Sequence, residues 1–199
     1  MTVTANGRTA DHDIEPVFLR RWSPRAFTGE AIPRASLMSL FEAARWAPSA
    51  FNLQPWRFVY AVRDTPDWER LLAVLVEYNQ AWVRGASALV FMISDRFRRK
   101  PGAEPEPLYS HSFDAGAAWA YLALQAHHLG LAAHGMTGFD PDRAHEELGV
   151  PEAEDRIEAA TAIGRPADKS VLPEPYRARE TPSQRLPMAG FVFEGRVKA

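Results

Sequence analysis

A chain of 199 residues that is 46% apolar can build one sizeable hydrophobic core, and it is short for two domains. Its net charge of −2 argues against a general nucleic-acid binder, and the absence of cysteine removes disulfides, thiolate catalysis and cysteine-ligated metal centres. No basic start followed by an apolar run opens the chain and no apolar stretch reaches membrane-spanning length, so a cytoplasmic protein with no membrane partner is expected.

Residues 1–12 are small and polar and read as a flexible, frayed leader. A short helix is predicted from Ile14 to Arg21 with Asp13 as N-cap, and a second from Pro33, with Leu37, Leu40, Phe41 and Ala44 at helical spacing and a stop at Ala47-Pro48. Trp56–Val62 reads as a strand with Phe58 and Tyr60 on one face. Thr65-Pro66 opens a helix expected to run to about Val76. The apolar run from Ser87 to Ser94 predicts a buried strand. Residues 95–110, with Arg96, Arg98, Arg99 and Lys100 followed by three prolines, predict a long mobile loop of the kind that forms lids. Phe113–Leu129 is the longest helix candidate, apolar on most sides and so expected to be buried. A short strand or turn follows at Leu131–Gly135, then a helix opened by Asp140-Pro141, then a core strand at Ile157–Ile163. The proline-rich stretch from Gly164 to Pro187 is not expected to fold on itself, and Ala189–Val197 reads as a terminal strand. An irregular run ending in a strand predicts an arm that crosses to a second subunit. The economical reading is one α/β domain over residues 1–199 with an arm at 165–199.

Three segments carry candidate chemistry. Arg20-Arg21-Trp22-Ser23-Pro24-Arg25 places three guanidiniums and a hydroxyl within six residues, fork-shaped donors suited to a phosphate monoester. A solvated charged face is the alternative, and Arg185 is a second, distant cation. Between helix and strand, Pro48 and Pro55 stiffen a connection carrying the hydrogen-bonding side chains of Ser49, Asn52 and Gln54; an ordinary turn is the alternative. Gly135-Met136-Thr137-Gly138 precedes a helix start, where glycine admits close backbone approach to a ligand. No dinucleotide fingerprint, phosphate-binding loop, nucleophile elbow or metal-binding histidine pattern occurs.

Taken in order, these segments resemble the nitroreductase family of FMN-dependent oxidoreductases. The matching pieces are Arg21-Trp22-Ser23-Pro24-Arg25-Ala26-Phe27, Ala47-Pro48-Ser49 with Asn52-Leu53-Gln54-Pro55-Trp56, Met136-Thr137-Gly138-Phe139, Ile163-Gly164-Arg165-Pro166 and Arg185-Leu186-Pro187. The resemblance implies an α+β fold with a central, mostly antiparallel sheet flanked by helices, and an intertwined homodimer whose C-terminal arm adds a strand to the partner's sheet. It implies FMN at the dimer interface, with Arg21, Ser23, Arg25 and Arg185 at the phosphate and ribityl end. Pro48, Ser49, Asn52 and Gln54 would approach the ring from the other subunit, and Met136, Thr137 and Gly138 would lie near flavin N5 and O4. Asn79 matches a position where some members contact the flavin, and Trp82 falls where some carry a lysine. The implied reaction is ping-pong hydride transfer from NAD(P)H to a small oxidised acceptor such as a nitroaromatic, quinone or enone. Arg96, Arg98 and Arg99 read first as a solvated basic loop, with attraction of the 2′-phosphate of NADPH as the alternative. Two other outcomes are a flavin-binding or storage protein without turnover, and a non-reductive flavin chemistry such as flavin fragmentation or dehalogenation.

Overall fold

The computed structural model describes residues 6–197. Its centre is a four-stranded, fully antiparallel sheet in the order β1 (Trp56–Val62), β2 (Ala88–Asp95), β6 (Asp155–Gly164), β5 (Ala132–Met136). Between β2 and β5 lie a two-residue hairpin, β3 (Phe97–Arg98) with β4 (Glu106–Pro107), and the long helix α5 (His111–His128). The remaining helices are α1 (Pro16–Arg20), α2 (Arg34–Arg45), α3 (Pro66–Leu72), α4 (Glu77–Val83), α6 (Pro141–Leu148) and the single turn α7 (Glu174–Arg177). This is an α+β architecture, as expected.

The uninterrupted apolar run of β2 is explained by burial on both faces. Leu89, Phe91 and Ile93 point to one side, where Trp68, Leu71, Leu72 and Trp82 from α3 and α4 cover them. Ala88 and Val90 point to the other, against Leu37, Leu40 and Ala44 of α2 and Ala118, Leu122 and Ala126 of α5. Alternation of side chains along a strand makes this division automatic. The small residues of α5 let it lie close to α2 and the sheet, but contrary to expectation the helix is buried on one side only: Phe113 and Tyr121 are exposed.

Several expectations are corrected. The first helix begins at Pro16, preceded by Glu15 without a side-chain cap, rather than at Ile14 with Asp13. The helix opened by Pro66 ends at Leu72, because Val74–Val76 is drawn into pairing with the 138–140 segment: Asp140 N–H donates to Val74 O, and Val76 N–H to Gly138 O. A separate helix, α4, then starts at Glu77. The 95–110 loop is closed by the β3–β4 hairpin and by a Lys100–Glu106 ion pair at 3.1 Å. Residues 1–5 of the expected leader lie outside the described residues, but beyond them the chain is pinned by Arg8, which is 6% exposed. The 164–187 stretch also packs: Leu172, Tyr176 and Glu180 are buried, and the Tyr176 hydroxyl donates to Tyr78 O at 2.9 Å. The terminal strand is absent from this chain. A single 3-10 turn at Met188–Gly190 leads into an exposed, unpaired stretch to Val197. Among the described residues no helix is long and apolar enough to cross a membrane.

Candidate functional site

The arginine run does not lie on a solvated face. After α1 the chain leaves the helix at Arg21, and Arg21, Ser23 and Arg25 line a cavity of about 290 Å³ together with Arg8, His134, Arg179 and Arg185. Among the described residues lining it none is acidic, although the buried Glu180 stands 4.0 Å from Arg25 just outside. Like charges gathered this closely repel one another, and this shows in their proton affinity. Burial pushes Arg21 below its ordinary value, and the neighbouring Arg8 and Arg185 push it further; burial and Arg185 do the same to Arg8. Such an arrangement is stabilised by an anion, and fork-shaped donors suit phosphate best.

Arg8 is the strut of this cavity. Its Nε donates to Ser183 O at 2.9 Å and its Nη1 to Arg21 O at 2.8 Å, tying both ends of the chain to the arginine run. The Phe27 end of the run is held by residues that follow β6. Thr28 N–H donates to Arg165 O, Ala167 N–H donates to Ala26 O, and Phe27 bridges Pro166. This explains the glycine of Ile163-Gly164-Arg165-Pro166: a Cβ at Gly164 would stand 2.9 Å from Phe27 Cδ1 and 3.1 Å from Ser87 Oγ.

Strand β5 links the cavity to the Met-Thr-Gly turn. His134 lines the cavity, and Met136, Thr137 and Gly138 follow at the end of the strand. The His134 Nδ1–H donates to Pro24 O at 3.0 Å, and its ring lies 4.6 Å from that of Trp82. Burial lowers its pKa to about 4, the Arg25 and Arg21 charges adding to the effect against the opposing carbonyl bonds, so the imidazole is neutral. Trp82 is a 2% exposed core residue stacked near Phe27. Asn79 is buried behind the turn: its Nδ2 donates to Gly138 O at 2.9 Å, and its Oδ1 accepts from Trp82 Nε1 at 3.3 Å.

The Pro48–Gln54 turn is built under backbone strain. Phe51, Asn52 and Gln54 have φ of 53°, 55° and 50°, a region that favours glycine. Strain of this kind persists only where surrounding structure enforces it, and it clusters at binding sites. Two anchors enforce it here: Ser49 Oγ accepts from Gln54 N–H at 3.0 Å, and Asp114 near the start of α5 accepts from Ala50 N–H at 3.2 Å. No residue of this turn lines the arginine cavity, so one chain does not bring the two sets together. Gln54 lines a different cavity, of about 260 Å³, with Arg57, Arg98 and Arg99. Of the basic loop residues, Arg99 is paired with Asp95 and Glu154, Arg96 donates to Glu152 O, and Arg98 lies 4.4 Å over the Phe51 ring.

The expected phosphate set Arg21, Ser23, Arg25 and Arg185 therefore meets in space, as does Asn79 with Gly138. Sequence reading missed Arg8 and Arg179, which sit in polar, unpatterned stretches, and His134, which sits in the short strand β5; all three reach the cavity through long-range packing.

The nitroreductase family model matches residues 19–72 and 61–165. A protein of Thermus thermophilus named NADH dehydrogenase is 31% identical over 209 residues, covering 91% of this chain and 95% of that one. A crystal structure described as an oxidoreductase containing FMN shares 48% identity with a TM-score of 0.96, covering 100% of this chain and 99% of the other. The CLA biosynthesis enone reductase of Lactiplantibacillus plantarum is 37% identical over 87 residues, 43% of this chain and 39% of that one.

Proposed function

Because the chain belongs to the nitroreductase family, we propose that it is an FMN-dependent oxidoreductase carrying electrons from NAD(P)H to a small oxidised acceptor, the two using one place in turn. The observation that carries this reading is the single cavity lined by Arg21, Ser23, Arg25 and Arg185, whose donor set fits a phosphate monoester. Bound FMN supplies the hydride chemistry, while the chain supplies position and electrostatics.

In this reading the guanidiniums of Arg21, Arg25 and Arg185 and the hydroxyl of Ser23 bind the phosphate, and Arg8 and Arg179 extend the positive field. His134, held neutral, adds no further repulsion and keeps its proton on the nitrogen facing Pro24. Met136, Thr137 and Gly138 would bring backbone N–H groups to the ring, where they favour growing negative charge. Asn79 supports that turn from behind. Pro48, Ser49, Asn52 and Gln54 are assigned to the ring bound by the partner subunit. That assignment requires a homodimer, and the C-terminal arm is the element suited to build it. Leu186, Phe191 and Val197 are 76%, 58% and 78% exposed, and β1 and β5 are sheet edges able to accept an added strand. A single domain in a cytoplasmic setting completes the reading.

The test is reconstitution of the purified protein with FMN, followed by anaerobic addition of NADH or NADPH. The expected outcome is a bound flavin with shifted absorbance that bleaches on adding the nicotinamide and recovers with a quinone or nitroaromatic. A flavin that stays free in solution at micromolar protein would remove the reading.

A further inference from the structure

Glu180 is a carboxylate that no motif singles out. It lies between Arg179 and Thr181, which line the arginine cavity, and it is only 7% exposed. Its Oε1 accepts from two consecutive backbone N–H groups, Arg25 at 2.7 Å and Ala26 at 2.8 Å, across 155 and 154 residues of sequence. Consecutive N–H groups of this kind form an anion-binding concavity, and here a carboxylate of the chain itself fills it. The second oxygen, Oε2, is buried without a hydrogen-bond partner and stands 4.0 Å from Arg25 Nη1. An ion pair at that distance is at its limit, whereas two charge-assisted hydrogen bonds below 3 Å are strong. The reach of Oε1 is therefore what this side chain contributes.

We propose that Glu180 is a positioning residue for the anion site: from the C-terminal segment it clamps the Arg25–Ala26 backbone and so aims the Arg21–Arg25 run into the cavity. The proposal rests on reading that cavity as the phosphate end of an FMN site. It adds that phosphate recognition depends on a buried carboxylate outside the cavity. The carbonyls on either side, of Pro24 and Ala26, are held by His134 and Ala167, and Glu180 is what holds the two N–H groups between them, those of Arg25 and Ala26.

Two conservative substitutions separate reach from charge. Glu180→Gln keeps an oxygen at the Oε1 position and drops the charge, whereas Glu180→Asp keeps the charge and retracts it by one methylene. The readout is the preference for FMN over riboflavin, the ratio of their dissociation constants from flavin fluorescence, which isolates the phosphate. The expected result is a preference reduced about tenfold in Glu180→Asp and held within about threefold of wild type in Glu180→Gln. An unchanged preference in Glu180→Asp, even with a lowered melting temperature, overturns the proposal by showing a merely structural role. An equal loss in both variants also overturns it. Should the wild-type protein not distinguish FMN from riboflavin, the flavin reading fails instead. Inorganic phosphate then serves as probe: the rise in melting temperature that it causes must be lost in Glu180→Asp and kept in Glu180→Gln.

Discussion

Asn79 donates from Nδ2 to the carbonyl of Gly138 at 2.9 Å, and that contact leaves no room for a side chain at position 138. A Cβ there would stand 2.4 Å from Asn79 Nδ2 and 3.2 Å from Val76 Cγ2. Because Asn79 is buried, it has little freedom to retreat. Gly138→Ala is expected to destabilise the fold by about 1–3 kcal/mol through overpacking. In an Asn79→Ala background the tightest clash is gone and only the 3.2 Å approach to Val76 remains, so the same substitution should cost less, a non-additive pair. Urea unfolding of the four variants measures the coupling, and additive free energies would show that the two residues do not oppose one another.

Arg21 should bind tightly to an anion and sit uneasily without one. Removing its charge relieves repulsion with Arg8 and Arg185. Arg21→Ala is therefore expected to leave the melting temperature of the flavin-free protein unchanged or raised, while weakening FMN by about tenfold or more. Isothermal titration at two salt concentrations should also show a shallower salt dependence. A variant that melts lower and binds FMN as before would contradict both halves.

His134 gives the fold a defined acid sensitivity. Its pKa is about 4 when folded, against about 6.5 for an unperturbed histidine. Between these values the unfolded chain binds more protons, so stability rises as pH climbs from about 4 to about 6.5 and is lost on the way down. The expected span is on the order of 2 kcal/mol, since the ring retains some access to solvent. His134→Asn, which keeps a donor near Pro24, should flatten that part of the profile. Proton NMR provides the direct check: an imidazole midpoint near 6.5 in the folded protein would dismiss the argument.

The strained turn should be easy to stabilise. Gln54 and Asn52 both hold positive φ, but asparagine tolerates this region far better than glutamine. Gln54→Gly is thus expected to add about 0.5–1 kcal/mol of stability, and Asn52→Gly less. Both should lower turnover, since the side chains assigned to the ring are lost. Equal stability changes, or destabilisation by Gln54→Gly, would indicate that the backbone there is not under strain.

Much of this was legible from local pattern. The Trp56–Val62 strand stands where alternation puts it, and the buried runs of β2 and α5 shift by only a residue or two at their ends. Asp140 caps α6 as its Asp-Pro signature predicts, accepting from Arg143 N–H. What stayed hidden depends on distant partners. The apolar stretch Leu71–Val76 is good helix by itself, and only its pairing with Gly138–Asp140 breaks it. Arg8, Arg179 and Glu180 sit in segments with no periodicity, and nothing local marks one arginine among many as a strut. The Ala189–Val197 segment has strand-forming residues, but a strand needs an edge to pair with, and within this chain the segment pairs with neither edge of the sheet.

Arg8 holds the carbonyl of Ser183 across 175 residues, which has a consequence for the order of events during synthesis. A ribosome delivers the chain from its N-terminus, and contacts between the two ends form last. Arg21 and Arg25 emerge early, but the residues that complete their cavity, from Arg179 to Arg185, are made only after every strand of the sheet. A nascent chain can therefore build its sheet and both layers of helices yet own no anion site. Anion binding has to wait for that segment, and a chain truncated before Arg179 is expected to fold through its core yet be blind to phosphate.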